Sequence, residues 1–172
     1  GLGIKPVFSY RTRHYFRVYM TIHTGAAQEE RTYKEIGFIL HCFKCGHRTA
    51  DTIPNKECFA CKTLMKHAGP LWTGPIHNKN FLAELIHDFD MHSVKMGSKI
   101  ASIALQEIDM PPTYFTIDKI SRQMGVATPS INSIIMAIKK EGYRASRTAL
   151  NSKGIKTDAS NRILQKIVKM LA

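Results

Sequence analysis

The sequence predicts an α+β fold in which a β-hairpin, a four-cysteine zinc ribbon, a helical linker and a winged helix-turn-helix module follow one another. Three observations indicate this fold: alternating apolar residues between His14 and Ile22, two C-x2-C pairs, and a C-terminal succession of helix, turn and strand signals. The predicted boundaries are 1–34 for the hairpin and its connector, 35–75 for the ribbon and a tryptophan loop, 76–110 for the helical segment, and 111–172 for the C-terminal module.

The composition excludes wholesale disorder and a membrane span. Hydrophobic residues make up 44% of the 172 residues, so the chain can build a packed core. No apolar run is long enough to cross a bilayer and no secretion signal opens the chain, which indicates a cytoplasmic protein. The first residues, Gly1-Leu2-Gly3, lack an initiating methionine, so we expect a processed or excised part of a longer protein.

The charge balance favours a polyanionic partner. Twenty-five Lys and Arg residues oppose thirteen Asp and Glu residues, which gives a formal net charge of +12 and a pI near 9.7. An excess of this size is typical of proteins that bind nucleic acid or an anionic membrane surface.

The first segment predicts a β-hairpin with one uncovered face. A short apolar run at 4–8 leads through a polar turn at 9–13 into an alternating stretch at 14–22. The apolar face of that stretch comprises Phe16, Val18, Met20 and Ile22. Because a two-stranded hairpin is marginal in water, something outside it must cover this face.

The four cysteines predict a structural zinc site. Cys42, Cys45, Cys58 and Cys61 read C-x2-C-x12-C-x2-C, so two tight knuckles can present four thiolates to one tetrahedral ion. Two disulfides are the alternative in an oxidising compartment. Gly46 follows the first pair, where a knuckle favours positive φ, whereas Lys62 follows the second. Four thiolates leave no open position for catalysis, and we interpret the histidines nearby, His41, His47 and His67, as surface or supporting residues.

The middle of the chain predicts a connector, a strand, a loop and two helices. Residues 25–34 are interpreted as a polar connector and 35–40 as a strand leading into the first knuckle. The segment 69–75, rich in Gly and Pro, predicts a rigid loop that carries Trp72. Asn78 is a candidate N-cap for an amphipathic helix, and a second helix is predicted to begin near 93–98.

The C-terminal third predicts a winged helix-turn-helix. A short helix at 118–123 ends at Gly125, and Thr128 with Pro129 is expected to begin the next helix, which ends at Gly142. The wing is predicted as a strand at 143–150, a turn at 151–154 and a partner strand at 155–158. A last helix covers 160–171.

No catalytic constellation is visible. The sequence has no glycine-rich phosphate loop and no nucleophile elbow. We interpret the scattered acids as solvated surface groups: Asp51, Glu57, Glu84, Asp88, Asp90, Glu107 and Asp109.

Basic residues predict a nucleic-acid contact on the C-terminal module. Between Arg122 and Lys156 lie seven basic residues and one acidic residue, a local charge of +6. The candidate contact residues are Ser130, Arg144, Arg147, Lys153 and Lys156, with Arg17 in a second cluster among hairpin tyrosines. Strand alternation places the two wing arginines on opposite faces, so one of them is expected to hold the wing through an acid such as Asp158. Protein docking is the alternative for the module, and an ordinary strand surface is the alternative for the tyrosines.

Four stretches, in order, resemble a known family. They are His14-Tyr15-Phe16-Arg17-Val18-Tyr19, the four-cysteine ribbon, Gly69-Pro70-Leu71-Trp72 with Gly74-Pro75, and Gly142-Tyr143-Arg144-Ala145-Ser146-Arg147-Thr148 with Gly154-Ile155-Lys156-Thr157-Asp158-Ala159. Together they resemble the tRNA (guanine-N2)-dimethyltransferases that modify guanine 26. The sequence departs from the family at Ala149, where histidine is usual, at Ser160, where proline is common, and at Arg13, where aspartate is frequent.

The resemblance implies a function for a longer parent protein. The family's S-adenosylmethionine-binding domain and catalytic acids are not in this sequence, so the chain is expected to be the C-terminal, tRNA-binding portion and inactive alone. Its expected partners are tRNA and the N-terminal methyltransferase domain of the same protein, whose sheet would cover the hairpin. The alternatives are a zinc-ribbon winged-helix DNA-binding transcription factor and a scaffold that only docks protein.

Overall fold

The computed structural model describes residues 1–172 as a mixed α/β fold with three small antiparallel sheets and six helices. The strands are β1 (Leu2–Arg11), β2 (Phe16–Thr24), β3 (Ile36–His41), β4 (Arg48–Asp51), β5 (Lys66–Trp72), β6 (Phe115–Thr116), β7 (Ala145–Thr148) and β8 (Asn151–Thr157). The helices are α1 (Ala26–Lys34), α2 (Lys79–Met91), α3 (Lys95–Gln106), α4 (Ile117–Met124), α5 (Ile131–Lys140) and α6 (Asn161–Leu171). None of the helices is long and apolar enough to cross a membrane.

The β1–β2 hairpin has one covered strand and one exposed strand. Leu2 pairs with Thr24 at one end and Arg11 with Phe16 at the other, around the turn at 12–15. β1 buries its centre, whereas every residue of β2 is exposed. The apolar face expected from the alternation therefore lies open along β2.

The segment 25–34 corrects the connector predicted there, because it forms α1. The helix buries none of its residues completely, so it lacks the apolar stripe by which periodicity reveals a helix. Instead, the Thr32 side chain connects it to β1: its hydroxyl accepts a hydrogen bond from the Ile4 N–H at 2.9 Å.

The cysteine segment forms a three-stranded sheet in the order β4-β3-β5. The rigid loop predicted at 69–75 is wrong in part, because β5 continues through Pro70 to Trp72 after a cis Gly69–Pro70 bond. β5 is an edge strand, which is the position in a sheet that tolerates a residue without an N–H. Only 73–75 remain outside it.

The two central helices pack on each other and on the hairpin. Asn78 caps α2, as predicted, by accepting a hydrogen bond from the Phe81 N–H at 2.9 Å. α3 begins at Lys95, within the predicted range. Their shared core contains Phe8 of β1, Leu82 of α2, Ala101 and Ala104 of α3, and Ala149 from the C-terminal region.

The C-terminal unit, 115–171, encloses the largest core. Helices α4, α5 and α6 pack against a sheet in the order β6-β8-β7, and eleven buried residues form one cluster between them. Gly125 ends α4 at φ 65°, as expected of a left-handed cap. Ser160, at a departure from the family pattern, caps α6 by accepting a hydrogen bond from the Ile163 N–H.

Three details of this unit differ from the expectation. The cap of α5 is Ser130 rather than Thr128, and its hydroxyl oxygen accepts from the Ser133 N–H at 3.1 Å. Strand β6 has only two residues, which is too short for an alternating pattern to predict a strand from the sequence. The turn between β7 and β8 lies at Ala149–Leu150 rather than at 151–154, because a register shift after Arg147 brings Thr148 opposite Asn151.

Candidate metal centre and nucleic-acid interface

The four cysteines lie on two knuckles with the same backbone pattern. In the first, the Cys42 N–H donates to the His47 carbonyl at 2.9 Å and the Gly46 N–H donates to the Cys42 carbonyl at 2.8 Å. In the second, the Cys58 N–H donates to Thr63 and the Lys62 N–H to Cys58 at the same two distances. Lys62 adopts φ 59°, so it takes the conformation that Gly46 takes at φ 74°.

The geometry of the sulfur atoms fits a tetrahedral ion. All four Sγ atoms lie within 4.8 Å of one another, with 3.4 Å between Cys42 and Cys61 and 3.5 Å between Cys45 and Cys58. Thiolates at the usual Zn–S distance of about 2.3 Å stand about 3.8 Å apart at the corners of a tetrahedron. The four cysteines are unpaired, and Cys42 and Cys58 are buried.

Two of the four thiols, those of Cys45 and Cys61, have pKa values shifted in opposite directions. Hydrogen bonds with the side chain and backbone of Thr63 lower the pKa of Cys61 to about 6. At Cys45 the backbone of His47 lowers the pKa, but burial and the other three thiols outweigh it and raise the pKa to about 12. Because a metal binds the thiolate, a bound cation would favour deprotonation of the whole set.

The three neighbouring histidines each contact a residue beside the cysteine cluster. The Arg48 side chain donates to His41 Nδ1 at 3.2 Å, and burial together with this cation lowers the pKa of His41. His47 contributes its backbone carbonyl to the first knuckle. His67 contacts the Phe38 ring edge to face, with the two ring centroids 5.6 Å apart.

Lys156 corrects the predicted set of nucleic-acid contacts. The residue is 2% exposed, and its Nζ lies 3.1 Å from Glu107 Oε2 in a buried ion pair. Its charge is therefore compensated inside the protein. Lys156 lies between buried Ile155 and buried Thr157 on the central strand of its sheet, so both faces of β8 are covered at this point.

The two arginines of the predicted wing make different contacts, and Arg144 is the one bound to Asp158. Its backbone N–H and its Nε donate to the two carboxylate oxygens of Asp158, at 2.9 and 2.8 Å. A third bond, at 3.0 Å, reaches the Asp109 carbonyl. Arg144 thus joins the end of β8 to the segment after α3. Arg147, on β7, donates to Asn132 Oδ1 of α5 at 2.9 Å.

The remaining candidates lie on the surface. Lys153 is exposed, and its Nζ pairs with Asp118 Oδ2 at 2.5 Å. The hydroxyl of Ser130 accepts the α5 cap bond and contacts the Ser133 hydroxyl at 2.8 Å. Arg17 lies far away in sequence on the hairpin, over the Tyr15 ring at 4.8 Å. The structure therefore places Arg147 against α5, the helix that Ser130 caps, but it does not bring the whole set together.

A buried network of hydrogen bonds and an ion pair joins the hairpin to the C-terminal unit, and the sequence does not predict it. Glu107, interpreted from sequence as a surface acid, is fully buried at the end of α3. Its Oε1 accepts hydrogen bonds from the Ala149 N–H at 2.9 Å and from His77 Nε2, also at 2.9 Å. The Ser9 N–H donates to His77 Nδ1 at 3.5 Å, so His77 carries its own proton on Nε2.

The electrostatics of Glu107 favour its charged form. Burial raises its pKa, but the bond with His77, the charge of Lys156 and further hydrogen bonds with Thr148 and Ala149 outweigh burial, so the pKa lies below 4.5.

The β7–β8 turn is held by backbone as well as side-chain contacts, because the Arg11 N–H donates to the Ala149 carbonyl at 3.0 Å. The β7–β8 turn is thus docked into the protein, and it does not project as a free wing tip.

Fold and site together define a basic mixed α/β protein with a four-cysteine centre. A family model described as N2,N2-dimethylguanosine tRNA methyltransferase matches residues 1–169. The chain belongs to this family.

Curated relatives and a solved structure agree with this assignment. The chain is 34% identical over 178 residues to a tRNA (guanine(26)-N(2))-dimethyltransferase of Methanosarcina barkeri, and the match covers 99% of the chain and 45% of that relative. The enzyme of the same name from Methanothermobacter thermautotrophicus is 30% identical over 89% of the chain and 42% of its own length. The structure of Trm1 from Pyrococcus horikoshii with S-adenosyl-L-methionine superposes with a TM-score of 0.78 at 25% identity, covering 97% of the chain and 44% of that protein. The chain therefore spans less than half the length of these relatives.

Proposed function

We propose that this chain is the tRNA-binding C-terminal portion of an S-adenosylmethionine-dependent methyltransferase that dimethylates N2 of guanine 26. The observation that carries the proposal is the family match over residues 1–169 in a chain that spans 45% of its M. barkeri relative. The formal charge of +12 supports an RNA-binding role within that family. The rest of the parent would supply the cofactor site and the chemistry, so this chain alone is proposed to be inactive.

The open face of β2 supports a methyltransferase domain as a partner. Phe16 is 66% exposed and Ile22 67%, with Val18 and Met20 exposed between them. An apolar strand face of this kind is normally covered. The occupant we propose is the methyltransferase sheet of the same protein, since the chain covers under half of the relatives' length.

Two structural roles complete the proposal. A Zn²⁺ held by Cys42, Cys45, Cys58 and Cys61 would fix the two knuckles, and its bound thiolates would leave no position for a reaction. The order of α4, α5, β7, β8 and α6 supports the winged-helix interpretation of the C-terminal unit. Arg147, Lys153 and Ser130 stay as proposed tRNA contacts, together with Arg17 on the hairpin, whereas Lys156 does not.

This chain would contribute to the reaction by positioning the tRNA. Guanine 26 lies at a helical junction of tRNA and must leave its stack before its exocyclic amine can be methylated twice. Phosphate contacts carry no sequence information, but they fix the register and orientation of the RNA. The chain would therefore hold the tRNA body while the joined domain receives the base.

Two other classes of function give different binding behaviour. A zinc-ribbon winged-helix transcription factor would bind duplex DNA at least as tightly as folded tRNA. A protein-docking scaffold would bind no nucleic acid, and its interactions would depend little on salt. The family assignment favours the tRNA methyltransferase over both.

A complementation experiment tests the proposed function. The methyltransferase portion of the parent, alone and with this chain, is incubated with tRNA transcripts and radiolabelled S-adenosylmethionine. Label should enter guanine 26 only when both parts are present, and a transcript with adenine at that position should remain unlabelled. Equal methylation without this chain would contradict the proposed role.

A further inference from the structure

A wide groove lies between the first cysteine knuckle and the C-terminal unit. It has a volume of about 1030 Å³, and its walls are the knuckle, the segment 112–116, one side of α4 and the beginning of α6. Its lining includes four Lys or Arg side chains and no Asp or Glu. The basic residues are Lys44, Arg48, Lys119 and Arg162. None of them belongs to the contact set predicted from the sequence.

Three of these cations are available to a ligand. Lys44, Lys119 and Arg162 are exposed, and none of them has a carboxylate within ion-pair distance. Lys153 and Arg144, in contrast, are paired with Asp118 and Asp158. A phosphate entering the groove would therefore not have to displace an internal partner.

The walls of the groove are held together by direct contacts. Arg48 Nη1 donates to the Tyr114 carbonyl at 2.8 Å, and its guanidinium lies 4.9 Å from the centroid of the Phe115 ring. Asn161 at the beginning of α6 donates through Nδ2 to the Cys45 carbonyl at 3.2 Å. A Cβ atom added at Gly46 would overlap sterically with Asn161 Nδ2. Glycine therefore permits this close packing. The groove is thus preorganised by the ribbon and the C-terminal unit together.

The aromatic ring of Phe43 lies at the rim of the groove. Phe43 is 78% exposed, and its ring meets His41 edge to face at 4.5 Å, so one face stays free. Exposed aromatic rings beside cations bind unstacked nucleobases, while the cations follow the phosphates. A continuous duplex offers no free base face to such a ring.

We propose that this groove binds a non-duplex segment of RNA, with Lys44, Lys119 and Arg162 on its phosphates and Phe43 stacked on an unpaired base. The inference rests on the proposed function for its class of partner. It adds the site and the local form of the RNA, and it predicts that the groove rather than the β7–β8 turn carries most of the binding.

The test is fluorescence anisotropy with folded tRNA and with a labelled single-stranded RNA, titrated at several salt concentrations. The variant with Lys44→Ala, Lys119→Ala and Arg162→Ala should bind both RNAs more weakly, and its log–log salt slope should fall by about two units. A matched triple variant on α3 and α2, with Lys79→Ala, Lys95→Ala and Lys99→Ala, removes the same charge and should keep most of the slope.

A separate variant tests the stacking contact. Phe43→Ala should weaken single-stranded RNA binding about 5-fold or more, with little change in the salt slope. Phe59→Ala, which removes the equivalent exposed ring of the second knuckle, should have little effect because that ring lies outside the groove. Circular dichroism checks that each variant is folded.

The outcomes separate this inference from the proposed function. If the unmodified chain binds tRNA but the groove triple variant keeps its affinity and slope, the groove proposal is wrong and the tRNA-binding role stands. If the unmodified chain binds no RNA, both are wrong. An equal loss in the groove and control triple variants would show that only total charge matters, which also contradicts a defined groove.

Discussion

Replacement of Glu107 by Gln should destabilise the fold by leaving a buried cation without its partner. Glu107 and Lys156 are each 2% exposed, and 3.1 Å separates their charged atoms. Gln keeps the volume and an oxygen for the Ala149 N–H, but it removes the negative charge. Breaking a buried pair from one side costs about 3–5 kcal/mol.

The free energy of unfolding is measured by urea denaturation at pH 7, with circular dichroism as the signal. With a denaturant dependence of about 1–3 kcal/mol per molar urea, the midpoint should fall by roughly 1 M or more. The matched double variant Glu107→Gln with Lys156→Met removes both charges and should recover most of the loss, because an apolar replacement of a buried pair is often neutral.

The contribution of the Glu107 charge to the free energy of unfolding should depend on pH. The pKa of Glu107 is lowered below 4.5 in the folded protein, so its contribution to stability is complete above that value and is lost as pH falls through the folded pKa. The difference between the unmodified protein and Glu107→Gln should therefore be constant near neutral pH and shrink below about pH 4.5. A loss under about 1 kcal/mol at pH 7, or no recovery in the double variant, would refute the account of this network.

Three further predictions concern the metal, a knuckle and the cofactor. Protein purified without chelators should contain one zinc per chain by elemental analysis, and Cys58→Ser should lose the metal and unfold the ribbon locally; absence of stoichiometric zinc would contradict the site. Gly46→Ala should destabilise the protein by at least about 1–2 kcal/mol in thermal melts, through its positive φ and its contact with Asn161, whereas exposed Lys62→Ala, already at positive φ, should be near neutral. Calorimetry should detect no binding of S-adenosylmethionine to the chain alone, and tight stoichiometric binding would show that the cofactor site is not confined to the rest of the parent.

Local signals in the sequence predict much of this fold. The cysteine spacing predicts the knuckles, Asn78 predicts the start of α2, and Gly125 predicts the end of α4. Each of these depends on residues close together in the chain. The alternation in β2 likewise predicts an apolar face that needs cover, and the structure leaves that face exposed.

Features that depend on distant residues could not be predicted. The burial of Glu107 requires His77 and Lys156, thirty or more positions away, and nothing near Glu107 in sequence indicates them. The basic groove is assembled from the first knuckle, α4 and α6, so its cations are scattered along the chain. The sequence does not predict helix α1 for a different reason, since a polar helix shows no apolar period.

The measurement that tests the central claim most directly compares the affinity of this chain for folded tRNA with its affinity for duplex DNA of similar length. Both are titrated by fluorescence anisotropy over a series of salt concentrations. The account predicts tighter binding to tRNA at every salt concentration, with the logarithm of the affinity falling linearly with the logarithm of salt. Equal or tighter binding to the DNA, or no binding to tRNA, would contradict it.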